Sequence, residues 1–269
     1  VGAEFLERQV RIDQDVWEAD LVAPPLGHTL TYWAETAEAG TPDFTLRGEA
    51  WLPGGGFTID EHGEMLITRS TSETEQAPGL PPLLTIEWLT GGRAARRVRL
   101  TFGCNEDEGF FGLGERFNAL NQRGTVLDIR CYEQYKNQGK RTYMPIPFLL
   151  SSRGFGIWVK SSRWMQVDLA GTHSDRWVLE ADLGPDETLS LAWFQSNDPF
   201  EIIGQFTQRS GPAVLPPSWV FGLWMSGNEW NSQARVVKEV EASLAHGIPP
   251  AVLVIEAWSD ETTFYIWND

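Results

Sequence analysis

Two tryptophans and a glutamate lie at the ends of two apolar runs near the end of the sequence. Trp224 lies in the run of residues 219–226, and Glu256 and Trp258 end the run of residues 251–258. A carboxylate accepts hydrogen bonds from sugar hydroxyls, and an indole stacks on the apolar face of a sugar ring. These residue types suit carbohydrate recognition if folding brings the two runs side by side.

The segment between the two runs has the pattern of an amphipathic helix. Residues 233–246 place Val236 and Val240 on one face, Ser232 is a suitable N-cap, and Gly247 suits the position after the helix. Strand, helix and strand form a βαβ unit with parallel strands. Residues at the carboxyl ends of such strands carry the chemistry of parallel α/β folds. Because one βαβ unit is not a domain, we expect the chain to be part of a larger protein.

The first two hundred residues show β-rich runs joined by turns. Four segments have the pattern of hairpins around Gly, Pro, Asp or Ser: residues 57–70, 83–102, 146–162 and 176–194. Successive hairpins predict a mainly β fold, an antiparallel β-sandwich. A short helix is predicted over residues 198–210, with Asp198 as N-cap and Pro199 as its first residue. We place a domain boundary there, which gives domains 1–210 and 211–269.

Residues 118–144 interrupt the succession of hairpins. The segment is polar and aromatic, and it includes Tyr132, Gln134 and Asn137, whose side chains form hydrogen bonds. A loop of this length in a compact domain is usually either functional or disordered. The residue types favour an ordered functional loop.

Composition excludes several classes of partner. The formal net charge of −16 argues against nucleic acid and against an anionic membrane surface. The sequence has no apolar run long enough to span a membrane. Most of the 13 tryptophans must be core residues, and a few near loops would suit stacking on sugars.

The sequence shows no metal or cofactor site. The histidines are scattered, and the acidic residues 105–109 lack the spacing of a calcium loop, so a solvated turn is predicted there. Cys104 and Cys131 are too few for a disulfide framework, and free thiols are favoured. The Gly-Leu-Gly of residues 112–114 predicts a tight turn, followed by an ion pair between Glu115 and Arg116.

Four sequence segments together resemble a known family. In order they are FFGLGERFNALNQRG (110–124), YMPIPFLLSSRGFGIWVKS (143–161), FTQRSGPAVLPPSWVFGLWMS (206–226) and IPPAVLVIEAWSDETTFYIWND (248–269). The order and spacing of these segments resemble glycoside hydrolase family 31, the family of α-glucosidases and α-xylosidases. The resemblance is close over residues 110–269 and extends to the first hundred residues by pattern only.

The resemblance implies a galactose-mutarotase-like sandwich followed by the first βαβ unit of a (β/α)8 barrel. Residues 118–144 would then form a loop over the mouth of the barrel. Barrel strands would cover residues 220–225 and 251–256. Glu256 occupies the place of an acidic residue that binds hydroxyls of the sugar in the −1 subsite. Most relatives have Asp there, and Glu is one methylene longer, which bears on which sugar is preferred.

The resemblance also suggests further substrate-binding residues. Trp224 and Trp258 either line the same pocket or pack inside the barrel. Asn121, Gln122 and Arg123 either reach the pocket from the loop or hold the loop itself, in which case we expect Arg123 to pair with a carboxylate.

Enzymes of this family are retaining α-glycosidases, whose mechanism needs two carboxylates roughly 5–5.5 Å apart. No residue of the sequence matches either catalytic motif, so both are expected beyond residue 269, in the remainder of the barrel. We expect this chain to be inactive alone. The expected substrate is an oligosaccharide or another α-glycoside, with terminal α-linked glucose preferred and α-xyloside as the alternative.

Two alternatives remain open from sequence. A non-catalytic carbohydrate-binding sandwich would bind sugars through exposed aromatic residues. A sugar mutarotase would need a histidine and a carboxylate in a cleft, and His173, in a predicted turn, is a poor candidate.

Overall fold

The computed structural model describes residues 11–13, 16–18, 25, 27–32, 44–71, 80–91, 94–134, 136–227 and 229–255. The chain divides into two compact units, Val1–Ser210 and Gly211–Asp269.

Strands are the main regular structure of the first unit. In the part of this unit that the structure describes, they are β1 (Arg11–Asp13), β2 (Val16–Glu18), β3 (Thr29–Tyr32), β4 (Phe44–Arg47), β5 (Ala50–Pro53), β6 (Gly56–Ile59), β7 (Glu64–Thr68), β8 (Leu83–Thr90), β9 (Ala95–Gly103), β10 (Phe110–Gly112), β11 (Thr125–Asp128), β12 (Phe148–Ser151), β13 (Phe155–Val159), β14 (Met165–Leu169), β15 (Arg176–Asp182) and β16 (Leu189–Gln195).

Most of these strands form two antiparallel sheets. Among the described residues, one sheet has the order β10-β12-β13-β16-β7-β6, and the other has the order β11-β14-β15-β9-β8-β5. Two small antiparallel ladders, β1-β2 and β3-β4, also lie in the described part of the unit. The predicted mainly β sandwich is confirmed.

The two sheets enclose one apolar core because side chains alternate along each strand. On β15, Trp177 and Leu179 are buried, whereas Glu180 lies on the other face, partly exposed. Phe102 of the neighbouring strand stacks on Trp177 with ring centroids 4.2 Å apart. Trp193 of β16 belongs to the same core cluster, although β16 lies in the other sheet.

Three of the four predicted hairpins are confirmed by antiparallel pairs: β6 with β7, β8 with β9, and β12 with β13. The fourth, over residues 176–194, is wrong because β15 and β16 belong to different sheets. Both strands bury alternate residues in the same core from opposite sides. The connection between them therefore crosses from one sheet to the other.

The prediction of one continuous loop over residues 118–144 is also wrong. Residues Thr125–Asp128 form β11, which pairs with β14. Leu127 is 1% exposed, so burial of this side chain holds the strand in its sheet. The irregular segment that remains before β12 covers residues 129–147, and this range is called the Tyr132 segment below.

The predicted helix at the end of the first unit is confirmed as α1 (Pro199–Ser210). Asp198 accepts a hydrogen bond from the Phe200 amide at 2.9 Å, which caps the helix. Ile202 is fully buried, and Phe206 stacks on Phe148 of β12 with ring centroids 4.3 Å apart.

The second unit contains a 3-10 helix (Ser218–Phe221), β17 (Leu223–Ser226), α2 (Gln233–Ala245) and β18 (Pro250–Val254). The two strands are parallel, which confirms the βαβ unit. The Ser232 hydroxyl accepts from the Arg235 amide at 3.3 Å, and Gly247 has φ +72°, so both predicted helix ends are correct. The first strand begins later than predicted because a turn, closed by the Val220 amide and the Pro217 carbonyl at 3.0 Å, precedes it.

Helix α2 has no buried residue. Val237 and Leu244, which the sequence pattern places on the same apolar side as Val236 and Val240, are 46% and 55% exposed. One helix and two strands are too few to enclose a core. No helix in the described ranges is long and apolar enough to cross a membrane.

Candidate functional site

Of the predicted residues in the second unit, Trp224 alone lies within the described part of the chain. It lies on β17, is 51% exposed, and donates its indole N–H to the Val220 carbonyl at 2.9 Å. The indole is therefore about half exposed, with its N–H bonded to the backbone. Glu256 and Trp258 lie outside the described residues, and their substrate contacts stay predictions.

Gln122 holds the chain in place after β10. Its side chain is 1% exposed. Its side-chain oxygen accepts from the side-chain amide of Asn118 at 3.0 Å, and its side-chain N–H donates to the Ala119 carbonyl. The Asn121 side chain, which is exposed, accepts from the Phe110 amide at 3.1 Å. In this arrangement the Gln122 side chain has no free surface with which to contact a sugar.

Arg123 joins three loops of the first unit. Its guanidinium donates to the Glu108 carbonyl at 3.0 Å and to the Ser174 carbonyl at 2.7 Å, and lies 3.8 Å from the Cys104 sulfur. The prediction that Arg123 pairs with a carboxylate is wrong for the described residues. There its partners are two carbonyl oxygens and the Cys104 thiol. Arg123 therefore holds loops together, which is one of the two roles predicted for it.

Glu108 corrects the prediction of a fully solvated turn over residues 105–109. It is 3% exposed. One carboxylate oxygen accepts from the Ser151 hydroxyl at 2.6 Å, and the other accepts from the Asn105 amide at 3.2 Å. Sequence reasoning missed this residue because its partner Ser151 is distant along the chain and carries no motif.

Both cysteines are free thiols. Burial raises the pKa of the Cys104 thiol, and the nearby Arg123 guanidinium opposes that change in part. Cys131 is exposed and donates to the Tyr143 carbonyl at 2.9 Å.

The Tyr132 segment is ordered by its own polar side chains. Cys131 and Thr142 form a β-bridge. Gln134 donates to the carbonyls of Lys136 and Asn137, each at 2.9 Å. This network agrees with the prediction of an ordered loop.

Tyr132 is the centre of the segment. Its hydroxyl donates to the Asp128 carboxylate at 3.0 Å, which raises the pKa of the phenol. The guanidinium carbons of Arg130 and Arg141 lie 5.5 and 5.0 Å from its ring centre, within the range of cation–π attraction. Arg141 also donates to the Gln134 side chain at 3.2 Å. The Arg141 guanidinium therefore contacts both the Tyr132 ring and the Gln134 amide.

The glycine-rich turn of residues 112–114 contacts the Tyr132 segment near its C-terminal end. Gly112, Leu113 and Gly114 all have positive φ, at 92°, 63° and 89°. A Cβ at Gly114 would overlap the Met144 carbonyl oxygen, and the Glu115 amide donates to that same oxygen at 3.1 Å. The predicted tight turn is confirmed, and its glycine is needed for close approach of two backbones.

Arg116 follows this turn and bonds to carbonyl groups, so the expected ion pair with Glu115 is wrong among the described residues. The Arg116 Nε donates to the Leu113 carbonyl at 3.0 Å, and Nη1 donates to the Lys140 carbonyl at 2.9 Å. Burial lowers the pKa of this guanidinium, and Asp128 opposes the change.

The first unit has two sizeable cavities that the described residues line. One, of about 470 Å³, lies between the sheets and is bordered by Phe57, Ile86 and Phe102. The other, of about 340 Å³, lies beside α1 and is bordered by Leu150 and Ile202. Of the predicted substrate-binding residues that the structure describes, none lines either cavity.

Residues 52–168, which include the glycine-rich turn and the Tyr132 segment, match the profile of the "Glycosyl hydrolase 31 N-terminal galactose mutarotase-like domain". Relatives of this family also align with the chain over as much as 77% of its length. The chain belongs to glycoside hydrolase family 31. This membership agrees with the two-sheet sandwich and with the resemblance noted in the sequence.

Among curated relatives of this family 31 chain, the isomaltosyltransferase of Sporosarcina globispora is 39% identical over 210 residues, covering 77% of this chain and 19% of the relative. The 1,3-alpha-isomaltosidase of Kribbella flavida is 38% identical over 190 residues, covering 68% of this chain and 26% of the relative. The family 31 chain thus spans about a fifth to a quarter of the length of these two relatives.

A solved structure shows the same fold. The cycloalternan-degrading enzyme from Trueperella pyogenes superimposes with a TM-score of 0.72 at 32% identity, covering 90% of the family 31 chain and 34% of the enzyme.

Proposed function

We propose that this chain is part of a retaining α-glycosidase that acts on oligosaccharides of α-linked glucose. Family membership supports glycosidic-bond chemistry, because the curated relatives are enzymes that cleave or transfer sugars. The relatives named above are an isomaltosyltransferase and an isomaltosidase, which favours an enzyme acting on glycosidic bonds over a non-catalytic binding module or a mutarotase. His173, which the mutarotase alternative would need, is exposed.

We infer further that the unit released or transferred is isomaltosyl, two glucose residues, rather than a single glucose or xylose. The observation that carries this inference is the identity of 39% and 38% to an isomaltosyltransferase and a 1,3-alpha-isomaltosidase. The alpha-xylosidase XylQ of Lactiplantibacillus pentosus is less similar, 31% identical over 156 residues. This proposal differs from the expectation drawn from the sequence, in which a single terminal α-linked glucose is the preferred unit.

The βαβ unit provides the sugar-binding contribution of this chain. Ser226 of β17 pairs in register with Val254 of β18, so both strands end at one edge. Glu256 follows two residues after this edge, and we assign to it the recognition of hydroxyls on the sugar whose bond is cleaved. Trp224 offers an exposed ring for stacking. The nucleophile and the acid/base carboxylate come from the remainder of the catalytic barrel.

The test is a comparison of kcat/KM for the whole protein on three substrates. An oligosaccharide with an α-1,3-linked isomaltosyl group, maltotriose and an aryl α-xyloside are each incubated with the protein. We expect the isomaltosyl substrate to be preferred by at least about tenfold. This ratio corresponds to roughly 1.4 kcal/mol of transition-state binding, which one or two hydrogen bonds to a second glucose supply. A preference for the xyloside would overturn the proposal.

A further inference from the structure

Two partly exposed tryptophans lie on the sheet ordered β11-β14-β15-β9-β8-β5. Trp51 is on β5, and Trp164 immediately precedes β14. The two positions are near opposite edges of the sheet. The cross-strand partners between them show whether both side chains lie on the same face.

A single row of cross-strand partners joins the two tryptophans. Trp51 pairs with Leu89 of β8, which pairs with Arg97 of β9. Arg97 pairs with Asp182 of β15, whose amide donates to the Trp164 carbonyl at 2.9 Å. Because cross-strand partners lie on the same face of a sheet, all five side chains share one face. The row covers four strand spacings, about 19 Å.

This row lies on the face of the sheet that points away from the core. Along β9, Arg97 and Arg99 alternate with Val98 and Leu100, whose side chains are fully buried. Glu180 of β15 pairs with Arg99 in the adjacent row of the same face. The side chains of Arg97, Arg99 and Glu180 are 20%, 28% and 18% exposed, so a ligand can reach all three from outside.

Ion pairs hold the charged side chains of this outer face in place. Glu180 accepts from the Arg99 Nε at 2.8 Å, and its other oxygen lies 3.7 Å from the Arg97 guanidinium. Asp182 accepts from the Arg97 Nε at 2.7 Å, and Glu87 lies 3.6 Å from the Arg99 guanidinium. Each guanidinium therefore has two carboxylate neighbours. Because these groups are already ordered, binding a ligand to them costs little side-chain entropy.

The same two arginines orient the indole rings. The guanidinium carbon of Arg97 lies 3.8 Å from the ring centre of Trp164, and that of Arg99 lies 3.8 Å from the ring centre of Trp51. At this distance a guanidinium is attracted to the face of an indole. The outer face therefore carries two oriented aromatic rings with charged hydrogen-bonding groups between them.

The chemistry of this face favours a neutral ligand that is rich in hydroxyl groups. Its two guanidiniums and three carboxylates nearly cancel in charge, so a charged ligand would gain little from them. An apolar partner would remove these charges from water without replacing their hydrogen bonds, which is costly. Sugar hydroxyls replace such hydrogen bonds, and the apolar face of a sugar ring stacks on an indole.

We propose that this outer face binds a neutral oligosaccharide. Trp51 and Trp164 stack on sugar rings, and Arg97 and Asp182 bond to hydroxyl groups between them. Because the two indoles lie at opposite ends of the row, the ligand is several sugars long. The choice of an α-glucan as ligand rests on the proposed function, whereas the site itself rests on the geometry of the sheet.

The test is affinity electrophoresis of the whole protein in native gels that contain dextran of high molecular weight. Dextran is a soluble polymer of α-1,6-linked glucose, and its chain ends are few, so binding at the ends contributes little to retardation. We expect W51A and W164A each to raise the Kd for dextran about tenfold through lost stacking. An unretarded wild-type protein, or a double variant W51A/W164A retarded as strongly as the wild type, would overturn the proposal.

The matched control is W158A. Trp158 is also partly exposed and has a cation, the Lys160 ammonium, 5.5 Å from its ring centre, but it lies in the other sheet. W158A should retain the wild-type Kd for dextran. Thermal unfolding of each variant shows whether it is folded. An equal loss of binding in W158A and in W51A would mean that the effect is not specific to the proposed face.

Hydroxyl-radical footprinting of the wild-type protein gives a measurement that needs no variant. With dextran well above its Kd, oxidation of Trp51 and Trp164 should fall at least about threefold, because most molecules then carry the ligand. Oxidation of Trp158 should not change. Unprotected Trp51 and Trp164 would overturn the proposal even if the alanine variants fail to fold.

The outcomes distinguish this inference from the proposed function. If the wild-type protein cleaves the isomaltosyl substrate but dextran neither protects Trp51 and Trp164 nor depends on them for binding, the site is wrong and the proposed function stands. If dextran binds through these two residues but the wild-type protein cleaves no α-glucoside, the site stands and the proposed function fails.

Discussion

The Ser151 hydroxyl donates to the Glu108 carboxylate at 2.6 Å, and both side chains are buried in the first unit. A buried carboxylate depends on its hydrogen bonds because it has left water. This pair ties the loop before β10 to the end of β12, across 43 positions of sequence.

Removal of the Ser151 hydroxyl should therefore destabilise the protein. We expect S151A to lower the free energy of unfolding by about 2 kcal/mol, since it leaves a buried carboxylate oxygen without its partner. Urea denaturation of the whole protein measures the change. S190A, at a partly exposed position of β16, is the control and should change it by less than about 0.5 kcal/mol. Equal effects of the two substitutions would contradict the structural role of Glu108.

Two glycines with similar φ allow the cost of backbone strain to be measured separately from the cost of a steric clash. Gly114 and Gly124 have φ of +89° and +80°, but a Cβ would meet the Met144 carbonyl at the first and nothing within 4 Å at the second. We expect G124A to cost about 1 kcal/mol from strain alone. G114A should cost about 3 kcal/mol or more because the turn must also move away from the Tyr132 segment. Thermal or urea unfolding checks this order, and a G114A protein as stable as G124A would refute the close approach.

The two thiols should differ in reactivity. Burial raises the pKa of Cys104, so at a given pH less of it is present as the reactive thiolate. Cys131 is exposed. In a comparison of the variants C104S and C131S, with the modified residue identified by peptide mass, iodoacetamide at pH 8 should modify Cys131 about tenfold faster than Cys104. Faster modification of Cys104 would mean that its loop opens readily or that the thiol is not buried as described.

The proposed roles of Glu256 and Trp224 in substrate binding can be tested by substitution. E256A should lower kcat/KM for the isomaltosyl substrate by about a hundredfold, the loss of charge-assisted hydrogen bonds to hydroxyls. W224A should lower kcat/KM by about tenfold through lost stacking. The control is K238A, at an exposed charged position of α2, which should retain wild-type kinetics. Wild-type kcat/KM in E256A would remove Glu256 from the site.

The sequence predicted those features that local chemistry determines. Ser232 and Gly247 mark the ends of α2 because a cap hydroxyl and a positive φ are local requirements. The hairpin between β12 and β13 was predictable because Gly154, with φ +83°, permits the turn that joins adjacent strands. Family membership was likewise predictable, because four motifs agreed in order and spacing.

Features that depend on distant partners were not predictable in this way. A turn between β15 and β16 has the same local pattern whether the second strand pairs with the first or crosses to the other sheet. Arg123 reaches Ser174 across 51 positions, and no local signal marks that pair. The sequence predicted an ion pair between Arg116 and its neighbour Glu115. Arg116 instead bonds to the Lys140 carbonyl, 24 positions away.

The most direct test of the central claim is identification of the first product by time-resolved NMR. The whole protein is mixed with an oligosaccharide that carries an α-1,3-linked isomaltosyl group, and the anomeric signals are followed before mutarotation. The account predicts that isomaltose appears first, as its α-anomer, because a retaining mechanism preserves the configuration of the cleaved bond. Release of glucose as the first product, or of the β-anomer, would contradict it.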